Sequence, residues 1–346
     1  MPLLTVLKVV GAAGAAVLLV ATWPQLLGLH RAPVFSQLTA LKGLVILVAL
    51  AAMLLSALLA WWLRPVRRFG IGLALVFLLV AGLNAGLLAS RGLSVSAVAP
   101  GGISVGAGAG VGTSDLNVFT WNTLGGRPGA RLIATFAVDH DVHVLALTET
   151  SPETAHEVAR LMGDAGRQMQ VFALASPTGN VAQSTALLVA NSHGEYALDL
   201  SVGTTPGVQS VVARPLGGDG PTFVSTHTIP PLPPRLATWE RGLEWVAARC
   251  REGEAVVAGD LNATVDHFGG LHDPGADLGA CRDGALALGS AALGTWPSQA
   301  HMLLASPIDH VMATAEWEFV AFRVATELDG RGSDHRALLA TLRRVR

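Results

Sequence analysis

The chain has 346 residues, of which 51% are hydrophobic and 14% charged, with a net charge of −2. That balance excludes an ordinary, wholly soluble composition. The charge is also unevenly placed. Residues 1–112 hold seven Lys or Arg and no Asp or Glu, which leaves 16 basic and 25 acidic residues beyond, a net of 16 − 25 = −9. A basic, membrane-like part therefore precedes an acidic, globular one.

Residues 9–29, 43–63 and 69–90 each form an uncharged apolar stretch. Each has the roughly 20 residues that a helix needs to cross a bilayer. The alternative for the first is a cleavable signal peptide, but no small-x-small site closes it and two further spans follow. Arg64, Arg67 and Arg68 crowd the turn between the second and third spans, whereas the first loop offers Arg31 and, at its edge, Lys42. The excess of positive charge places the Arg64–Arg68 turn and the N-terminus in the cytoplasm, and everything after Ser90 outside. Residues 91–114 are rich in Gly, Ala, Ser and Val and read as a flexible linker. The expected division is thus a multi-pass membrane domain over 1–90, a linker over 91–114 and a globular domain over 115–346. Its two cysteines, Cys250 and Cys281, both lie in the outer part. An oxidising compartment permits a disulfide between them, and two buried free thiols fit the sequence equally well.

From Asp115 the texture changes to short β-rich runs separated by Gly and Pro. Strands are expected at 116–120, 142–147, 170–174, 185–189, 208–214 and 222–226, and again at 308–313, 318–324 and 337–342. Helical spacing marks 131–138, 152–162 and 236–251, the second with Ser151 as N-cap before Pro152. Residues 267–299 read as a long irregular segment. Many strands with a few interposed helices predict an α/β sandwich.

What stands at the strand ends carries the chemistry. A short apolar run from Ala255 stops at Gly259 and sets Asp260 and Asn262 two residues apart, on one side of an extended backbone. Asn122, Glu149 and His227 end earlier strands; Asp309 and the pair Asp334-His335 begin later ones. Polar groups gathered at one edge of layered sheets are where ligands and catalytic groups collect. Singly, each has a plainer explanation: Asn122, Asp309 and Asp334 as turn residues, Glu149 as a helix cap, His227 as a structural histidine. Together, and in this order, they are hard to dismiss.

In that order, Trp121-Asn122, Thr148-Glu149, Thr226-His227, Gly259-Asp260-Leu261-Asn262, Ile308-Asp309-His310 and Ser333-Asp334-His335 resemble the endonuclease/exonuclease/phosphatase superfamily of DNase I-like proteins. The resemblance covers residues 115–346. It implies a four-layer α/β sandwich with two largely antiparallel sheets, here preceded by three transmembrane helices, and cleavage of phosphate esters with a divalent metal, Mg²⁺ or Mn²⁺. A membrane region ahead of such a domain also resembles a group of actinobacterial membrane proteins associated with teicoplanin-type resistance.

By that resemblance Glu149 supplies a hard carboxylate to the metal, Asn122 supports the site through its amide oxygen, and Asp334 binds metal directly or through water. His335 is the base candidate, oriented by Asp309, with Asp260 competing for the same role. Asp260 and Asn262 position water and phosphate, and His227 donates to a phosphoryl or leaving oxygen. Two departures weaken the assignment of substrate. Thr148 stands where the family often has Gln, and Glu195 is poorly placed to be an acidic partner of His227. The domain is net acidic and has no lysine after Lys42, which argues against a duplex-tracking nuclease. A tether to the bilayer favours a lipid-linked phosphate or pyrophosphate in the same leaflet. An extracytoplasmic nuclease and a catalytically silent membrane scaffold are the alternatives. The stiff apolar loop Ile229-Pro230-Pro231-Leu232-Pro233-Pro234 reads first as a rigid connection to the next helix.

Overall fold

The structure is a computed structural model that describes residues 3–99 and 115–345. Its membrane-like part begins with α1 (Leu3–Thr22), a short α2 (Phe35–Ala40), α3 (Lys42–Trp62) and α4 (Arg67–Arg91). α3 and α4 each anchor a helical stretch long and apolar enough to cross a bilayer, Lys42–Trp62 and Arg64–Arg91. Leu54, Leu58, Leu75 and Leu79 point outward from them. An all-round apolar helix belongs in lipid or in a large core, not in water. The two pack closely at Gly70, where a Cβ would lie 2.9 Å from the Cβ of Ala60 and from the carbonyl of Ser56. The first expected span differs in where it ends: its helix, α1, is 20 residues long and stops at Thr22. Pro24 explains the break, because its ring disfavours a helical Trp23 and it has no N–H to continue the ladder. The chain then turns through Gly28, at φ +66°.

The outer domain alternates strands and helices. β1 (Ser96–Val98) precedes the undescribed segment, and β2 (Asp115–Asn122) follows it. Then come α5 (Ala130–Asp139), β3 (Val144–Thr148), α6 (Pro152–Asp164), β4 (Met169–Leu174), β5 (Thr185–Ala190), β6 (Tyr196–Leu198) and β7 (Val211–Pro215). β8 (Thr222–His227), α7 (Leu236–Arg249) and β9 (Ala255–Asp260) lead to β10 (Arg282–Asp283) and α8 (Gly284–Ala287). β11 (Asp309–Ala313), β12 (Trp317–Ala325) and β13 (Ala337–Arg344) close the chain. Two sheets result, ordered β1-β12-β13-β2-β3-β5-β4 and β10-β11-β9-β8-β7-β6. Each is antiparallel except for one parallel pair, β2 with β3 and β8 with β9.

Apolar residues of alternate strand positions explain the layering. Val118, Val144 and Leu187 of the first sheet meet Phe223, Val256 and Val311 of the second. Their opposite faces take the helices. Phe119, Trp121 and Leu145 pack on Ile133, Phe136, Val158 and Met162 of α5 and α6. Val212, Val224 and Val257 pack on Trp239, Leu243 and Val246 of α7. The order is helix, sheet, sheet, helix: the four layers expected.

Two stretches behave otherwise than the sequence suggests. Ser96–Val98, in the stretch read as linker, adds β1 antiparallel to the edge of β12. The irregular 267–299 stretch contains β10, α8 and half of a disulfide. Cys250 and Cys281 are bonded, with Cα atoms 5.4 Å apart, so the question left open by sequence is answered in favour of the bridge. It joins the end of α7 to the loop before β10 across a separation of 31 residues. A loop of that length implies about 3 to 4 kcal/mol of chain-entropy stabilisation. Cys250→Ser/Cys281→Ser is accordingly expected to lower the denaturant midpoint without changing the strand content seen by circular dichroism. An unchanged midpoint would exclude a stabilising bridge.

Candidate active site

The parallel pairs set the site. β2 and β3 run side by side with Asn122 opposite Thr148, so Glu149 emerges next to Asn122. β8 and β9 do the same with His227 opposite Asp260. β11 runs antiparallel to β9 and pairs Asp309 with Asp260. The antiparallel β13 begins just after His335, beside the end of β2. Six strand ends from both sheets thus meet along one edge of the sandwich.

Gly259 makes the approach possible. Its φ is +147°, and a Cβ there would lie 1.8 Å from the carbonyl oxygen of Thr226. No larger residue fits between β8 and β9 at this point. Glu149 and Asn262 also hold positive φ, +52° and +46°. Such conformations cost free energy away from glycine and persist where surrounding contacts enforce them. Asn262 is held by its amide, which donates to the Thr228 carbonyl at 2.8 Å.

Asp260 is the hub. Its Oδ2 accepts the side-chain amide of Asn122 at 3.0 Å, and its Oδ1 accepts the backbone N–H of Asn262 at 2.8 Å. The Nε2 atoms of His227 and His335 stand 3.8 Å from the same Oδ2. His335 turns its Nδ1 to Asp309 Oδ2 at 2.8 Å. Asn122 also donates to Glu149 Oε1 at 3.0 Å, which ties the two carboxylates through one amide. Its own Oδ1 accepts the N–H of Leu124. Asn122 therefore acts in this arrangement as a donor, where the resemblance implied its oxygen. Asp334 stands at the rim, accepting the indole N–H of Trp296 at 3.0 Å.

Burial and charge set the protonation states. Burial pushes the Asp260 carboxyl up to about 7, against the opposing pull of His335. Burial alone would strip His335 of its proton, yet Asp309 and Asp260 outweigh it and lift the imidazole to about 10. His227 goes the other way, to about 4, through burial and the charge of His335. Burial raises Glu149 too, only partly offset by Asn122 and His335. At neutral pH the site thus holds one imidazolium, one neutral imidazole and a carboxylate balanced near its titration point between them.

Every site residue singled out in sequence lies on this edge: Asn122, Glu149, His227, Asp260, Asn262, Asp309, Asp334 and His335. Glu195 does not. It is exposed at the start of β6, and His227 Nδ1 is buried with no hydrogen-bond partner among the described residues. Other residues were missed. Ser333 donates to the Asn122 carbonyl at 2.6 Å and accepts the N–H of His335 at 2.9 Å, fixing β13 against β2. The hydroxyls of Ser210 and Thr205 hold the backbone of His227. Thr295 accepts the N–H groups of Ile308 and Asp309. Ser333 could have been found, since it belongs to the Ser-Asp-His motif; the others sit in loops with no pattern of their own. His310 makes a second buried pair with Asp283, at 2.7 Å, and its other nitrogen meets the Ala263 carbonyl, so it braces the β9 loop from behind.

The donor set fits a hard divalent cation. Asp260, Asp309 and His335 present ligand atoms within 4.8 Å of one another. A protonated His335 has no lone pair to give, which leaves carboxylate oxygens as the natural holders. Asp309 Oδ1 and Asp334 Oδ1 are buried with no hydrogen-bond partner among the described residues, acceptors that a cation would satisfy. Thiolate ligands typical of zinc are not available, because both cysteines are bonded to each other.

Known proteins share this fold. The model of the Endonuclease/Exonuclease/phosphatase family matches residues 119–335, more than half the chain. An endonuclease/exonuclease/phosphatase from Bacteroides vulgatus superposes with a TM-score of 0.50 at 16% identity, covering 67% of this chain and 100% of its own. Humanized D. rerio TDP2 matches with a TM-score of 0.50 at 17% identity, covering 66% and 99%. Truncated Caenorhabditis elegans TDP2 gives 0.50 at 16%, covering 66% and 98%. No curated protein sequence matches the chain. The ordered strand-end residues, the double sheet and the family match converge, and the chain belongs to the endonuclease/exonuclease/phosphatase family.

Proposed function

We propose that this protein is a membrane-anchored, divalent-metal-dependent phosphoesterase that works outside the cytoplasm on lipid-linked phosphates or pyrophosphates. The observation that carries the chemistry is the cage around Asp260 Oδ2, with Asn122 at 3.0 Å and two imidazole nitrogens at 3.8 Å. Asp260 takes the proton of the attacking water. His335, its proton held by Asp309, offers Nε2–H to a phosphoryl oxygen. As water bonds to phosphorus the bond to the leaving oxygen breaks, and His227, neutral, stands on the other side to donate its N–H to that leaving oxygen. Glu149, with Asp260 and Asp309, would hold Mg²⁺ or Mn²⁺, which when bound neutralises phosphoryl charge and makes a water more acidic.

Three features support the location. Two helices have the length and composition of spans. α1, packed on α4, serves as the third crossing and leaves the Arg64–Arg68 turn cytoplasmic. The Cys250–Cys281 bridge suits an oxidising compartment. Membrane helices ahead of this domain are also the layout that resembles the teicoplanin-resistance group, for which lipid-linked envelope intermediates are a fitting substrate.

The test is a screen of the full-length protein with Mg²⁺ or Mn²⁺ against polyprenyl pyrophosphate, phosphoinositides, sphingomyelin and DNA. Phosphate release from an amphiphile, abolished by chelator, is expected. Undiminished release in excess chelator sinks the metal chemistry. Degradation of plasmid or single-stranded DNA makes the protein a nuclease, and no metal binding by calorimetry makes it a scaffold.

A further inference from the structure

The grip of the membrane segment on the catalytic edge is centred on a buried carboxylate. Asp266 lies in a short 3-10 turn, Val265–Phe268, shortly after Asn262. It meets Arg91 from the end of α4, Lys42 Nζ at 3.6 Å from the start of α3, and Gln25 Nε2 at 3.0 Å. Asp266, Lys42 and Arg91 are 8%, 3% and 8% exposed. Residues 1–112 contain no acid, so Asp266 is the counter-ion that the buried Lys42 and Arg91 find. A buried charge left without its partner is strongly unfavourable, which makes this junction specific.

The grip extends along the same loop. Arg31 donates to the carbonyls of His267, at 3.1 Å, and Gly269, at 2.9 Å. His30 meets the Gly269 carbonyl at 3.1 Å. His267 accepts the Thr264 N–H at Nδ1 and turns Nε2 to the Ser36 carbonyl at 3.0 Å. Neighbouring loops join in. Gln37 donates to the Pro231 carbonyl, and Gly43 sits so close to Leu303 that a Cβ would lie 1.7 Å from its oxygen. These loops follow β8, follow β9 and precede β11, the strands that carry His227, Asp260 and Asp309.

We propose that Asp266 is a positioning residue through which the membrane segment holds the Asp260–Asn262 turn in register with His335 and Glu149. The helices are then part of the catalytic unit. Asn262 keeps a left-handed backbone at φ +46°, held locally by its bonds to Thr228 and Asp260, and the anchored Asp266 turn begins three residues further on, where it fixes the path of the chain leaving the site. Displacement of a positioning element by about 1 Å is enough to cost about 10²-fold in rate. The inference rests on the phosphoesterase assignment of the site, and its test separates the two.

The experiment uses the full chain in lipid nanodiscs with Mg²⁺. Asp266→Asn is expected to lower kcat by about 10²-fold with KM changed less than about twofold, and Asp266→Glu to restore most of it. Backbone amide exchange over residues 261–269 is expected to quicken in Asp266→Asn. Unchanged kcat together with unchanged exchange overturns the proposal. If the wild-type protein hydrolyses no phosphate ester, the assignment of the site fails, while faster exchange in the variant still supports the grip and unchanged exchange still refutes it. Should Asp266→Asn not fold, Arg31→Ala leaves the buried charges in place. It is expected to lower kcat about tenfold and to quicken exchange at 267–269; unchanged exchange there overturns the proposal.

Discussion

Asp260→Asn is expected to lower metal-dependent phosphate release by about 10³-fold or more while the protein stays folded. The size follows from what one carboxylate does. It is the base next to water, a candidate oxygen ligand, and the acceptor that aligns Asn122 and Asn262 at 3.0 and 2.8 Å. An amide of the same shape keeps the volume and one acceptor. Its NH₂ would face either the Asn122 amide or the Asn262 N–H, two groups that themselves donate. It also removes the negative charge that stands 3.8 Å from both His227 and His335. The structural cost is that of one mispaired buried group, about 1 to 3 kcal/mol. The check is kcat beside a thermal melt. A rate within tenfold of wild type would remove Asp260 from the mechanism.

His335→Gln is expected to lower kcat by about 10² to 10⁴-fold, the range for a positioned acid or base. Asp309→Asn does nearly as much, because without the carboxylate at 2.8 Å the ring loses both its orientation and the charge that keeps its proton. The pH dependence identifies the role. Asp260 must be ionised to act, and its carboxyl sits near 7, so activity rises with pH through that point. A bound cation favours the carboxylate and moves this rising limb lower. His335 must be protonated to donate, and its pKa is raised to about 10, so activity is full below that value and falls as pH passes through it. His335→Gln therefore loses the falling limb and keeps the rising one. A wild-type profile that climbs only near pH 10 would instead make His335 the base.

The site was more legible in the sequence than the fold around it. Gly-Asp-Leu-Asn and Ser-Asp-His are short local signals that mark the end or the start of a strand, which needs no tertiary information, although Asn262 reaches the site through a left-handed backbone at φ +46° and not by strand alternation. What binds those ends together does need it. Asp260 meets Asn122 across 138 positions, and Asp266 meets Arg91 across 175. No local pattern announces either. β1 was hidden because an edge strand is defined by its partner, and Ser96-Ala97-Val98 has little strand signal of its own. The helix break at Trp23-Pro24 is marked by the proline, within an apolar run that otherwise continues to Leu29. The protonation states were invisible, since they arise from burial at a meeting of two sheets.

β1 gives the chain a mechanical property. After α4 ends at Arg91, the backbone is sewn to the domain at once: the Ala291 N–H donates to the Arg91 carbonyl, Ser94 donates to Gly289, and Ser96–Val98 pairs with Ala321–Arg323 of β12. Residues 100–114 come only after this seam. If the helices anchor the protein as proposed, a pull between them and the catalytic domain is borne by the β1–β12 ladder, in shear, together with the Asp266 junction. The helices work as a rigid mount whose dimension is set by the few residues between Arg91 and Ser96, so that insertions there shift the cleft relative to the helices.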